Sequence, residues 1–347
     1  MACGNGAIWR VVPRKLGYMQ QRLLGRTNRT VSVIGLGTWQ LGADWGAVDE
    51  AEAQSVLDAA YAEGVSFFDT ADVYGDGRSE QLIGRWLRAN PQAEVTVATK
   101  MGRRVEQVPE AHNLEAFRAW NDRSRANLGV DTLDLVQLHC PPTPVYSTDA
   151  VYDALDTMVD EGRMRSYGVS VETVDEALSA IARPNIATVQ IIVNAFRHKP
   201  LEQVLPAARK AGVGIIARVP LASGLLTNRY TPQTKFAADD HRSFNRDGSA
   251  FDVGETFSGV DYTTGLQAAE QFAQLAAAEA PQATSAQVAL AWLAAQEGIS
   301  SIIPGARNAD QARANAAAGS LQLSEGFNAA VRELYDTKLR AQIHPRW

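Results

Sequence analysis

From residue 33 onward the chain alternates short β-type runs with helical stretches, eight runs in all. The runs are Val33–Gly37, Val65–Phe68, Val95–Thr99, Asp134–Leu138, Ser166–Ser170, Ala187–Ile192, Gly214–Arg218 and Ser300–Ile303. Helical apolar periods fall between them, as at Ala51–Glu63, Leu114–Leu128 and Leu201–Ala211, and Ala309–Ala317 follows the last run. Strict βα alternation forces parallel strands joined by right-handed crossovers, which leaves an open doubly wound sheet or a closed barrel. Eight units favour the α/β fold known as the (β/α)8 TIM barrel. No Gly-x-Gly-x-x-Gly opens the first helix, because Gly35-Leu36-Gly37 runs on into Trp39-Gln40. That weakens the open-sheet alternative. Arg22–Leu24 and Thr30–Ser32 flank a turn and read as an N-terminal β-hairpin. After the seventh strand comes a long irregular stretch, Asn228–Asp261. Loops of that length are usually functional or disordered. We expect this one to be partly disordered without a ligand and to close when one binds.

A plain barrel takes about 250 residues, and this chain has 347. Part of the surplus is read as a disordered extension at residues 1–18, with a single barrel domain over 19–347. The extension carries Arg10, Arg14 and Lys15 but lacks the apolar core of a secretory signal. Lys and Arg number 33 against 39 Asp and Glu, a net charge of −6. A mildly acidic chain without a basic run is a poor partner for nucleic acid. No stretch reaches the roughly 18 apolar residues of a membrane span. The two cysteines, Cys3 and Cys140, exclude a disulfide framework and fit a cytoplasmic, reducing environment. Nothing in the spacing suggests a metal site, and oligomeric state is not legible.

In such barrels chemistry sits at the C-terminal ends of the strands. Polar residues there include Asp69, Tyr74, Lys100, His139, Ser170, Gln190, Arg218 and Arg307. Each alone is weak, since a strand-end lysine commonly reaches solvent and a lone histidine is commonly structural. Together they converge on one mouth. A tyrosine titrates near 10, and an adjacent ammonium is expected to lower that value. A carboxylate beside the ammonium keeps it charged and fixed. A neutral imidazole can orient a carbonyl oxygen, and the tyrosine then serves as general acid in carbonyl reduction. The hydride must come from a cofactor.

The motifs that carry these residues resemble those of the aldo-keto reductase family. They are Gly35-Leu36-Gly37-Thr38-Trp39, Phe68-Asp69-Thr70-Ala71-Asp72-Val73-Tyr74-Gly75, Ala98-Thr99-Lys100, Leu138-His139, Gly162 to Ser170 and Ile303-Pro304-Gly305-Ala306-Arg307. The resemblance runs from about Gln21 to Ala318. It implies a nicotinamide-dependent oxidoreductase acting on a small carbonyl or alcohol substrate, with Asp69, Tyr74, Lys100 and His139 as catalytic residues. It further implies that Ser170 and Gln190 hold the nicotinamide carboxamide, and that Val219, Leu221, Ser223 and Gly224 wrap the pyrophosphate. Gly305, Arg307, Gln311 and Asn315 would hold the adenosine half of NADP(H), with Arg307 at the 2′-phosphate. Gly37, Thr38 and Trp39 border the cofactor, Trp39 also walling the substrate pocket.

Three positions depart from the family pattern. Val171 stands where many relatives have Asn, Arg218 where many have a tyrosine that stacks on the nicotinamide, and Ala314 where an acid often contacts adenine. A planar guanidinium can also stack. Cys140 reads as the continuation of a buried strand, and Asp122–Arg125 and Asp239–Arg242 read as solvated faces. Two other functions compete. One is a cofactor-holding regulatory protein resembling channel β-subunits. The other is an aldolase-like Schiff base on Lys100, which Asp69 opposes by keeping the amine protonated.

Overall fold

Among the described residues ten strands and twelve α-helices succeed one another, and through the last eight strands helices alternate with them as the sequence predicts. The computed structural model describes residues 19–42, 49–238 and 240–347, so the extension expected over 1–18, Cys3 and Asp239 lie outside the described residues. The strands are β1 Gln21–Leu23, β2 Thr30–Ser32, β3 Leu36–Gly37, β4 Phe67–Asp69, β5 Thr96–Met101, β6 Leu133–His139, β7 Met164–Ser170, β8 Thr188–Ile192, β9 Gly214–Arg218 and β10 Ile299–Ile302. The helices between β3 and β9 are α1 Glu50–Ala62, α2 Arg78–Ala89, α3 Leu114–Leu128, α4 Asp149–Asp160, α5 Val174–Ile181 and α6 Lys199–Ala211. The remainder are α7 His241–Phe244, α8 Tyr262–Glu279, α9 Ser285–Ala294, α10 Ala309–Ala317, α11 Glu325–Lys338 and α12 Arg340–Ile343.

β3 to β10 form one eight-stranded parallel sheet in sequence order. Single parallel bridges, Ile34 to Ile302 and Gly37 to Gly305, bring its two edges together and close the (β/α)8 barrel. Side-chain caps set where the helices begin. Asn113 accepts from Ala116 N at 3.1 Å ahead of α3, and Thr173 with Glu176 forms a reciprocal capping box ahead of α5.

The barrel interior is a small apolar cluster of its own, in which Phe67, Ala98, Leu135, Ile216 and Ile303 meet Leu24 and Val31 of the hairpin. The antiparallel hairpin β1–β2 thus plugs the barrel floor. Its turn needs Gly25 (φ +53°), where a Cβ would lie 2.2 Å from the Gly214 nitrogen at the start of β9. With the floor sealed, the opposite rim is left for chemistry.

One region differs from the expectation. α11 and α12 extend the fold past Ala317, α11 meeting α8 through Phe327 on Phe272 (ring centroids 6.0 Å apart). His198 stacks between Trp292 and Tyr335 at 5.1 and 4.0 Å, and burial drives its pKa down to about 3. It serves as a packing residue. The stretch after β9 is largely irregular, as expected, and among its described residues only α7 and two short 3-10 turns are regular. Among the described residues no helix is long and apolar enough to cross a membrane.

Candidate active site

A cavity of about 740 Å³ opens at the C-terminal rim. Asp69 ends β4, Lys100 sits next to last on β5, and His139 ends β6, so all three lie at the C-terminal ends of neighbouring parallel strands. Tyr74 follows on the turn before α2, where Tyr74 N donates to Ala71 O at 3.1 Å and Ser79 N to Tyr74 O at 3.2 Å. The Lys100 ammonium is fully buried and touches three oxygens. It forms an ion pair with Asp69, donates to the Thr70 carbonyl at 2.8 Å and donates to the Tyr74 hydroxyl at 3.2 Å. Asp69 is fixed from its other side by Gln190 Nε2 at 2.8 Å and Gln137 Nε2 at 3.2 Å. A buried charge is tolerated only when paired in this way.

These environments set the protonation states. Burial works against the Lys100 ammonium, but the charges of Asp69 and Tyr74 outweigh it and hold its pKa above the ordinary value. Burial, reinforced by the charges of Arg103, Lys100 and Arg218, holds His139 well below 6.5, so its imidazole is neutral. Its Nδ1 is buried with no partner among the described residues. Tyr74 corrects the sequence-based expectation. Burial raises its pKa above 10.0, and the Lys100 ammonium offsets only part of that rise. The phenol therefore keeps its proton throughout the physiological range.

Most of the other expected site residues also line the cavity: Gly37 at the end of β3 with Thr38 and Trp39 beyond it, Ser170 and Arg218 at the ends of β7 and β9, and Gln190 within β8. Val219, Leu221, Ser223 and Gly224 follow β9, and Gly305, Arg307 and Gln311 follow β10. The loop after β9 is strained, with Val219, Ala222 and Ser223 all left-handed at φ 52°, 48° and 53°. For a β-branched valine that conformation is an outlier, and such strain concentrates at functional loops. Gly224 admits the Tyr230 ring, since a Cβ there would lie 2.1 Å from its hydroxyl. Two of the expected residues also bond to their neighbours: Asn315 Nδ2 donates to the Gly305 carbonyl at 3.1 Å, and Gln311 Oε1 accepts from Arg307 N at 2.9 Å.

Arg218 does not stand alone at the rim. It pairs with Glu255 from the long segment and donates to the Val171 carbonyl at 3.0 Å. Cys140 is corrected too: it lies just past β6, half-buried at φ 46°, its sulfur 3.1 Å from Ser170 Oγ. Asp122 and Arg125 do pair on the surface at 2.9 Å. Asp240 and His241, expected on a solvated face, are instead buried. The long segment lends the cavity residues that the sequence reading missed, namely Arg229, Lys235, His241, Arg242 and Phe251. A cluster of cations in a loop after the expected pyrophosphate strand was the available signal.

The chain matches the model of the aldo/keto reductase family over residues 33–336, and it belongs to that family. It is an oxidoreductase by that membership. It is 34% identical over 316 residues to the aldo-keto reductase str7 of Strobilurus tenacellus, covering 88% of this chain and 89% of that one. It is 29% identical over 321 residues to an aldo-keto reductase of Schizosaccharomyces pombe, yakc, whose name carries NADP(+), with 89% and 90% covered. Among solved structures it resembles the glycerol dehydrogenase AKR11B4 from Gluconobacter oxydans, with a TM-score of 0.75, 27% identity and 92% and 95% covered.

Proposed function

We propose that this protein is an NADP(H)-dependent carbonyl reductase that interconverts an aldehyde or ketone and its alcohol, with Tyr74 as the proton donor. The observation that carries the reading is the Lys100 contact set: one buried ammonium bound to both Asp69 and the Tyr74 hydroxyl.

The rim suits a nicotinamide dinucleotide. Cationic side chains of Arg229, Lys235, Arg242 and Arg307 line the cavity, which suits a polyanion. Gly37 lets the ends of β3 and β10 pack closely beneath the cavity, since a Cβ there would lie 2.8 Å from the Ile303 carbonyl. Ser170 and Gln190 would take the carboxamide, the strained loop Val219–Gly224 the pyrophosphate, and Arg307 the 2′-phosphate. The bound cofactor supplies or accepts the hydride, the one component no side chain can provide.

The residues then divide the remaining work. Neutral His139 donates a hydrogen bond to the substrate oxygen and turns its carbonyl carbon inward. Tyr74, protonated because of its burial, donates to the same oxygen as negative charge develops there. As that proton leaves, the Lys100 ammonium stabilises the phenolate, and Asp69 keeps the ammonium in place. Trp39, stacked 6.0 Å from Tyr74 at 20°, excludes water from that face.

Steady-state NADPH oxidation across a panel of aldehydes and ketones tests the reading, with Tyr74→Phe as the control. Turnover that depends on Tyr74 supports it. Tight NADPH binding without turnover on any carbonyl would instead mark a cofactor-holding regulatory protein.

A further inference from the structure

The turn after β5 carries two adjacent arginines with opposite fates. Gly102 (φ +103°) makes the turn, and a Cβ there would press to 3.1 Å on His112 Nε2. Arg104 lies at the surface, paired with the exposed Asp76 and donating to the Asp72 carbonyl at 3.3 Å. Arg103 faces the cavity instead. Among the described residues its guanidinium makes no hydrogen bond, and its one ion pair is a loose contact with Glu172 Oε1 at 3.8 Å.

The acids that could neutralise Arg103 are otherwise occupied. Asp69 is committed to Lys100 and Gln190, and Glu255 to Arg218. Glu172 is itself partly buried, and burial with the charge of Asp252 raises its pKa. Arg103 and His139 line the same cavity, and the guanidinium charge is one of those that disfavour protonation of His139. The same cavity has an aromatic wall of Trp39 and Phe251 (centroids 6.4 Å apart). The cations suited to the cofactor phosphates belong to other segments, after β9 and β10.

We infer that Arg103 recognises an anionic group on the substrate, so that the preferred carbonyl compound carries a carboxylate or phosphate beyond a short apolar stem. This rests on the reductase reading above. A guanidinium with five donors and one loose contact is suited to a bidentate anion.

The test pairs charged and neutral substrates of similar size: 4-oxobutanoate against pentanal, and glyceraldehyde 3-phosphate against glyceraldehyde. The wild type should prefer the charged member of at least one pair, and the preferred pair identifies the anion. Arg103→Leu should lower kcat/KM for that member by about 10- to 100-fold while leaving the neutral member and NADPH affinity unchanged. Arg103→Lys should recover part of the loss. Equal use of both members by the wild type, or equal loss on both in the variant, would overturn the inference. A second readout does not need turnover: succinate and inorganic phosphate are titrated into the NADPH-loaded protein. Binding of either that weakens in Arg103→Leu supports the anion site even if no carbonyl is reduced, an outcome that would overturn the reductase reading alone. Binding of neither, or binding indifferent to Arg103, overturns the anion site.

Discussion

Glu255, from the segment that follows β9, closes onto the guanidinium of Arg218 at the end of that strand, and both side chains are nearly buried. The same segment is tied down again where Ser223 Oγ donates to the Glu255 carbonyl at 2.6 Å and accepts from Phe257 N at 3.0 Å. A long connection is thereby held across the rim by an ion pair and a hydroxyl, and again where Asn194 Nδ2 donates to Ser258 Oγ at 2.7 Å and Arg346 to the Gly259 carbonyl at 2.9 Å. Arg218 is occupied with this contact at the place where many aldo-keto reductases present an aromatic ring.

Removing one partner of a buried ion pair costs about 3–5 kcal/mol, because the other charge is stranded. Glu255→Ala should therefore release the segment 228–261. Limited proteolysis should cut the variant there much faster than the wild type, and NADPH should protect the wild type more than the variant. Indistinguishable digestion patterns would show that the pair does not hold the segment.

Tyr74→Phe should lower carbonyl reduction by about 10²- to 10⁴-fold, the usual worth of a general acid, with NADPH affinity near that of the wild type. Lys100→Met should also suppress turnover, and the double variant should lose little more than either single one, since the pair acts as a unit. Fully additive losses would separate the two roles. Because burial holds the Tyr74 pKa above 10.0 and that of His139 well below 6.5, kcat/KM should show no break attributable to either group between those values.

Arg307→Ala should weaken NADPH by about 10- to 100-fold, the equivalent of one charge-assisted hydrogen bond, and leave NADH nearly untouched. α10 begins just beyond it, and its N-terminal amides favour negative charge. Isothermal titration with both cofactors decides the matter. Equal weakening of both would assign Arg307 to support of the fold.

Asp72 sits behind the Tyr74 turn with 1% exposure, and neither carboxylate oxygen has a partner among the described residues. Burial, then the charge of Glu80, raises its pKa from 3.8 to about 7, with Arg104 and Arg123 opposing. Below the unfolded value both states are protonated. Between 3.8 and about 7 the folded protein keeps a proton that the unfolded chain has released. Stability from this group therefore declines as pH rises through that window and levels off above it. About three pKa units amount to a loss on the order of 4 kcal/mol. Asp72→Asn should gain on the wild type from about pH 4 to about pH 7 in urea denaturation and hold a constant lead above that. A difference that stays constant with pH would show that Asp72 does not titrate in this range.

Much of this molecule was written locally. The βα alternation determined the barrel, since parallel strands require crossovers and eight of them close. The strand ends then placed Asp69, Lys100, His139, Ser170 and Arg218 at one rim, because parallel strands all have their C-terminal ends on the same side of the barrel. Phe327, Val331 and Leu334 carried a helical period for α11, but not the fact that it packs on α8. Tertiary structure alone decided the electrostatic partners: that Glu255 meets Arg218, that Arg104 turns to Asp76 while Arg103 faces the cavity, and that Asp72 is left without a partner. It also decided that Tyr74 is raised rather than lowered, since desolvation depends on what surrounds a group in space. The periodicity of a side chain along its element is a local property and survives in the sequence. A charge responds to distance and burial, and neither is encoded by separation along the chain.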